Sequence, residues 1–333
     1  MQTTRSHRTT FRRAYQLGLR LFKPRAHQFA RHDFTEPQLF ACLVLRESLK
    51  LSYRKAETFL RDSPQWMADV GMTEAPDHNT LWRALGRLLK PSRTRRALDL
   101  LAEDARPRLA LELRRGPASI DSTCFEPRHR SRHYDRVCRK INLKPGQKYA
   151  RNARKQAQSD AKHDADLARS RAVKRLPKLA LAVSGGSGHV LAARCRIGNR
   201  SDAPDFAPLL YDAWRRAPVR SVVADGGYNS EANHRSARLD MKVRSVIPAV
   251  IGRPTQKRPR GYYRALMKRR FQKKSDAKVY GQRARSESVN SAMKRNLGES
   301  LRSIGPERQR QEMMLRAIVH NLMLGPDENE RRD

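Results

Sequence analysis

The chain has 333 residues, enough for one large domain or two ordinary ones, and with 38% of them hydrophobic a sizeable core can form. Lys and Arg number 71 against 33 Asp and Glu, a formal charge of +38 that a compact fold tolerates best beside a polyanion, so nucleic acid is the expected partner. No apolar run approaches the roughly 18 residues of a spanning helix and no signal-peptide core stands out, so a membrane or exported protein is not expected and a cytoplasmic one is.

Residues 1–32 carry no acidic side chain and many Arg, with Phe11, Tyr15, Leu19, Leu21 and Phe22 interspersed, which predicts a basic arm that lies on nucleic acid. Residues 33–114 follow with a helical pattern and predict an all-α, DNA-binding domain: LFACLVL from Leu39, SYRKAETFL from Ser52, and a turn over 71–77. A further helix there is expected to start at Asn79 and Thr80, which can cap its free N–H groups, to bury Leu81, Trp82, Leu85, Leu88 and Leu89 on one face, and to stop at Pro91. Helices flanking a Gly-containing turn suit a helix-turn-helix that reads DNA and equally an ordinary helical hairpin.

From Ala118 the pattern turns to short apolar strands: ASIDSTCF, then KLALAVSGG and HVLAARCRI as a hairpin, then RSVVADGG and KVRSVIPA separated by helices over DFAPLLYDAWRRA and 230–239. This order predicts an α/β mixed sheet in a domain over 115–325, followed by a polar tail over 326–333. Residues 126–176 form a basic, polar insertion between the first two strands. The four cysteines, Cys42, Cys124, Cys138 and Cys195, form no CxxC pair and read as reduced thiols. Cys124, His129, His133 and Cys138 have an order that zinc can use, but the Arg-rich stretch between them favours solvated loop histidines.

Two aspartates stand out. Asp121 lies inside an apolar strand, where a lone carboxylate is costly to bury without a cation or donors. Asp225 ends another strand immediately before Gly226 and Gly227, the place where open α/β sheets bind ligands, although a strand-end aspartate also serves simply to cap a turn. Further on, Tyr280, Arg283, Glu287 and Lys294 recur at offsets of 3, 7 and 14 from the first. On one continuous helix these fall within an arc of about 60°, a stripe that is either functional or a solvated face.

The run YGQRARSESVNSAMK reproduces Tyr-x2-Arg-x3-Glu-x6-Lys and resembles the signature of the bacterial insertion-sequence DDE transposases. IDST around Asp121 and ADGGYNS around Asp225 resemble the strands that carry that family's first and second aspartates, FTEPQLFACLVLRESLKLSYRKAETFL its N-terminal helices, and RQEMMLRAIVHNLML its closing helix. The resemblance implies a ribonuclease-H-like catalytic domain in which Asp121, Asp225 and Glu287 are catalytic and hold two Mg²⁺ or Mn²⁺ ions. It also implies that Tyr280, Arg283 and Lys294 contact DNA at the element's ends. Hard oxygen donors suit those ions, and two of them promote in-line attack on phosphorus. The expected activity is cleavage at transposon ends and transfer of the 3′-OH to target DNA, by a homodimer on DNA in the bacterial nucleoid. A decayed, non-catalytic DNA binder and a ribonuclease-H-like nuclease are the alternatives. The interval between Asp225 and Glu287 is too short for the β-rich insertion of some family members; its run KRPRGYYRALMKRRFQKK suits either a DNA-facing segment or a disordered linker.

Overall fold

A computed structural model describes residues 4, 6–22, 33–127, 176–198, 201–249 and 259–325. Its first third is helical: α1 (His7–Leu21), α2 (Glu36–Ser48), α3 (Tyr53–Arg61), α4 (Pro64–Ala68), α5 (His78–Leu88), α6 (Pro91–Asp104) and α7 (Arg106–Arg115). Their starts are written in the sequence. Thr35 and Gln38 close a reciprocal capping box on α2, Ser52 caps α3, and Pro37 and Pro91 sit in first turns where a missing N–H costs nothing.

The rest is built on a five-stranded mixed sheet. Its strands are β1 (Ala118–Cys124), β3 (Pro177–Val183), β4 (Val190–Ile197), β5 (Ser221–Ala224) and β6 (Arg244–Val246), in the order β4-β3-β1-β5-β6. β1 pairs antiparallel with β3, and β3 with β4 through the expected hairpin, whereas β5 runs parallel to both β1 and β6. A short parallel pair, β2 (Glu126–Pro127) with β7 (Ser300–Leu301), stands apart from it. β3 is buried at every position, Lys178 included, as befits a largely apolar strand covered on both faces. Among the described residues six more α-helices follow: α8 (Ala203–Arg216), α9 (Glu231–Arg235), α10 (Tyr262–Gln272), α11 (Ala277–Gly281), α12 (Ala284–Leu297) and α13 (Pro306–Leu322).

Two cores cover the sheet. On one side Leu179, Leu181 and Val183 pack with Val289 and Met293 of α12, Leu315 and Ile318 of α13, and the apolar faces of α1, α2 and α5. On the other, Ile120, Val222 and Ala224 pack with Leu109 of α7 and with Phe206, Leu209 and Leu210 of α8. The N-terminal helices thus share a core with one face of the sheet.

Four expectations need correction. The basic arm contains α1, whose Phe11, Ala14 and Leu17 are buried in the first core, so these side chains pack within the protein while Leu19 stays half exposed. Asp77, not Asn79 or Thr80, caps α5: its Oδ1 accepts from the N–H groups of both. Trp82 faces outward, half exposed, while Leu81, Leu85 and Leu88 face inward. The Tyr280 stripe is not one helix, because tight i to i+3 bonds around Gln282 and Arg283 separate α11 from α12. Of the long basic run, residues 262–272 form α10. Most of the insertion, including His129, His133 and Cys138, lies outside the described residues.

α2 is joined to α13 and α12 by a buried ionic cluster. Arg316 on α13 is fully buried; its Nε donates to Glu47 Oε1 at 2.8 Å and its Nη2 to Glu312 Oε1 at 3.0 Å. Its Nη1 donates to the carbonyl of Gly298 at 2.6 Å, just beyond α12, where φ of +102° suits only glycine. A single guanidinium therefore terminates the helix that carries Glu287 and links it to the N-terminal helices.

Candidate active site

Asp121 sits on the central strand and Asp225 directly follows the adjacent parallel strand, in whose register Ile120 lies beside Ala224. The two carboxylates are thereby carried to the same end of the sheet. Glu287 comes from the first turn of α12, which packs on β1 and is pinned there by the Ser119 hydroxyl donating to Ser286 Oγ at 2.7 Å. Alternation along β1 turns Ser119 and Asp121 toward α12, while Ile120 enters the opposite core.

The acids sense one another. Burial raises the pKa of Asp121 first, and the negative charges of Asp225 and Glu287 add to the rise, against the backbone N–H of Ser122 and the cation of Arg283. Asn290, one turn beyond Glu287, donates from Nδ2 to Asp121 Oδ2 at 3.2 Å, and its own Oδ1 is buried without a partner. Arg283 Nη2 donates to Glu287 Oε1 at 2.5 Å, and the same guanidinium feels the charges of Asp121 and Asp225. Tyr280 lies 5.9 Å from the Arg283 guanidinium, ring centroid to Cζ, and meets Phe271 edge-on. Burial raises the phenol's pKa.

An open cleft of about 350 Å³ is lined by Asp121, Ser122, Thr123, Glu287, Asn290 and Lys294. Lys294 reaches it two turns along α12 from Glu287, with its Nζ 5.7 Å from the Phe125 ring centroid. Of the six residues singled out in the sequence, Asp121, Glu287 and Lys294 line this cleft, while Asp225, Tyr280 and Arg283 lie near enough to interact electrostatically with its acids; among the described residues no three His, Cys, Asp or Glu side chains are placed to hold a metal ion.

Two participants were not anticipated. Asn290 shares a face with Glu287 at i+3, a spacing that marks it once Glu287 is placed on a helix. Asp202 occupies the N-cap position of α8 yet caps nothing. Its carboxylate instead accepts from Ser122 Oγ at 2.9 Å and pairs with Lys178 at 2.5 Å and with Arg196, which ties the residue after Asp121 to β3 and β4. Gly227 lies between the two acids: a Cβ there would stand in ordinary contact with Asp225 Oδ2 at 3.7 Å and with Asp202 Oδ2 at 3.9 Å.

A family model described as a transposase DDE domain matches residues 115–322, the sheet and every one of these side chains, and the chain belongs to that family. A second model, described simply as a transposase domain, matches residues 10–87, within the N-terminal helices. The chain is thus an insertion-sequence transposase of the DDE class, a protein of DNA transposition and recombination whose partner is DNA. No curated protein and no solved structure matches it significantly. Among the described residues no helix is long and apolar enough to cross a membrane.

Proposed function

We propose that this transposase cuts the ends of its element and joins the exposed 3′-OH to target DNA, with Asp121, Asp225 and Glu287 as the acids that hold two divalent ions, Mg²⁺ or Mn²⁺. The observation that carries the reading is the convergence of the three carboxylates on one end of the sheet, close enough to raise the pKa of Asp121 and to share the cation of Arg283. The sheet order, with an antiparallel hairpin added to a parallel strand set, supports assigning a ribonuclease-H-like domain.

The donor set fits hard cations. A carboxylate whose ionisation is opposed by burial and by two neighbouring acids gains from a positive charge, and Glu287 already takes one from arginine. Two such ions would supply activation of the attacking oxygen and relief of charge at the leaving oxygen. The chain's own residues do the remainder. Asn290 orients Asp121 through its amide, Ser286 and Arg316 fix both ends of the helix presenting Glu287, and Lys294 and Arg283 offer cations to phosphates entering the cleft. No side chain is needed as a covalent nucleophile: Ser122 is committed to Asp202, and the Tyr228 hydroxyl is buried with its pKa pushed up by desolvation.

Two ends must be processed together, which a homodimer on DNA accomplishes most simply. The test is strand transfer: labelled duplexes of the element's ends are incubated with supercoiled plasmid and Mg²⁺ or Mn²⁺. Label covalently joined to plasmid supports the reading. Cleavage without joining reduces the protein to a nuclease, and no reaction with either ion removes the catalytic assignment.

A further inference from the structure

From the outward face of α5 we infer that this helix reads DNA sequence in the major groove, with Arg83 and Asn79 on base edges and Arg308 at the flank. The inference deepens the proposed function by assigning the surface that selects the element's ends, and it rests on that reading for the choice of DNA.

At 3.6 residues per turn, α5 divides cleanly. Leu81, Ala84, Leu85 and Leu88 are buried in the core. Asn79, Trp82, Arg83 and Arg87 share the opposite, exposed face, with Gly86 among them. A tryptophan left half exposed beside arginines and an asparagine is not required by the core, which the opposite face of the helix fills. The face carries Arg83 and Arg87, the latter 3.8 Å from Glu36 of α2, and no carboxylate of its own within a strongly basic chain, so its charge complements a polyanion rather than a basic or apolar partner. Asparagine and arginine are also the side chains whose paired donors and acceptors match adenine and guanine edges, and a helix of this width fits the major groove.

A second element independently completes the face. Arg308 extends from α13 across α5, its guanidinium 4.6 Å from the Trp82 ring centroid and its Nη1 donating to the Trp82 carbonyl at 3.1 Å. It passes over Gly86, where a Cβ would stand only 2.4 Å from Nη1. The bare backbone at that position leaves room for the guanidinium where it now lies. Stacking holds it there with its charge intact, as phosphate contact at the groove's edge requires. α3 packs against α5 and presents Arg54 and Lys55 in its exposed first turn, which adds further cations on an element that touches α5.

The experiment measures binding of the full chain, in EDTA, to duplexes of the DNA flanking its reading frame and to scrambled duplexes of the same composition. Wild type, Arg83→Ala and Asn79→Ala are compared by fluorescence anisotropy, with dimethyl sulfate protection of guanine N7 as a second readout. The expected result is a preference for flanking DNA that falls roughly 5- to 150-fold in Arg83→Ala, the worth of one paired base contact, while scrambled binding is nearly kept. Protection at one guanine should vanish in that variant alone. A wild type without preference, an unchanged preference in both variants, or equal losses on both duplexes overturns the inference. Both side chains are exposed, so neither substitution opens the core. Because no divalent ion is present, the result is independent of whether the acids cut DNA; failure of the catalytic reading appears in cleavage and strand transfer instead.

Discussion

Arg283 and Glu287 stand one helical turn apart, with Nη2 of the arginine donating to Oε1 of the glutamate at 2.5 Å, although the glutamate side chain is about half exposed. An ion pair so open to water is worth little, on the order of 0.2–1 kcal/mol, and is cheaply exchanged for another cation. Arg283 also feels Asp121 and Asp225, so its charge competes with any divalent ion for the same three acids. Arg283→Gln is therefore expected to tighten Mn²⁺ binding to the free protein, measured by isothermal titration calorimetry, by up to about tenfold, while weakening DNA binding. Unchanged or weaker Mn²⁺ affinity would contradict this competition.

The folded-state pKa of Asp121 lies above the ordinary 3.8, chiefly through burial. The sign follows directly. Ionisation is costlier in the folded chain than in the unfolded one, so Asp121 destabilises the fold once pH exceeds its unfolded pKa, and the deficit is fully developed above the folded pKa. Asp121→Asn is expected to raise Tm at pH 7 and to lose that advantage as pH falls through the folded and then the unfolded pKa of the aspartate. A variant less stable than wild type at pH 7 would show that Asp121 is held by its partners rather than strained by burial.

In the proposed mechanism Asn290 acts through Asp121, to whose carboxylate it donates. Outer partners of metal-holding carboxylates typically contribute 10- to 100-fold in metal affinity, so Asn290→Ala should weaken Mn²⁺ binding by roughly that factor with little change in DNA affinity. Equal Mn²⁺ affinity in variant and wild type would remove the orienting role.

Much of this arrangement was legible in the chain. The strands were marked by apolar runs between turn residues, and Asp121 and Asp225 by their positions within and at the end of them. Glu287 followed from spacing within a motif. Less legible was whatever depended on partners remote in sequence. Trp82 matches the helical apolar period, and only the position of Arg308, far along the chain, makes an exposed indole useful. The aromatic residues of α1 looked like a DNA arm because the core that buries them comes from α2 and α13. Nothing in the sequence marks Asp202, because its engagement with Ser122, Lys178 and Arg196 depends on strand register. By contrast, Asp77 was readable, since Asp followed two and three residues later by Asn79 and Thr80 is a capping arrangement.

The buried cluster around Arg316 yields a stability prediction. Glu47 is fully buried between Arg46, Arg302 and Arg316, so Glu47→Ala leaves cations without their counter-charge. The expected cost is about 3–5 kcal/mol in urea unfolding. A loss below about 1 kcal/mol would mean that water or other groups replace the glutamate readily.

The central claim, that three acids on one end of the sheet cut DNA, is tested most directly by separating binding from cleavage. Labelled duplexes spanning the element's ends are incubated with Mg²⁺ or Mn²⁺ and wild type, Asp121→Asn, Asp225→Asn or Glu287→Gln, and breaks are mapped at single-nucleotide resolution. The account predicts a cut at the element's end by wild type, and variants that each bind the same duplex at least as tightly but leave it intact. Cleavage retained in any of the three, or no cleavage by wild type with either ion despite binding, would contradict it.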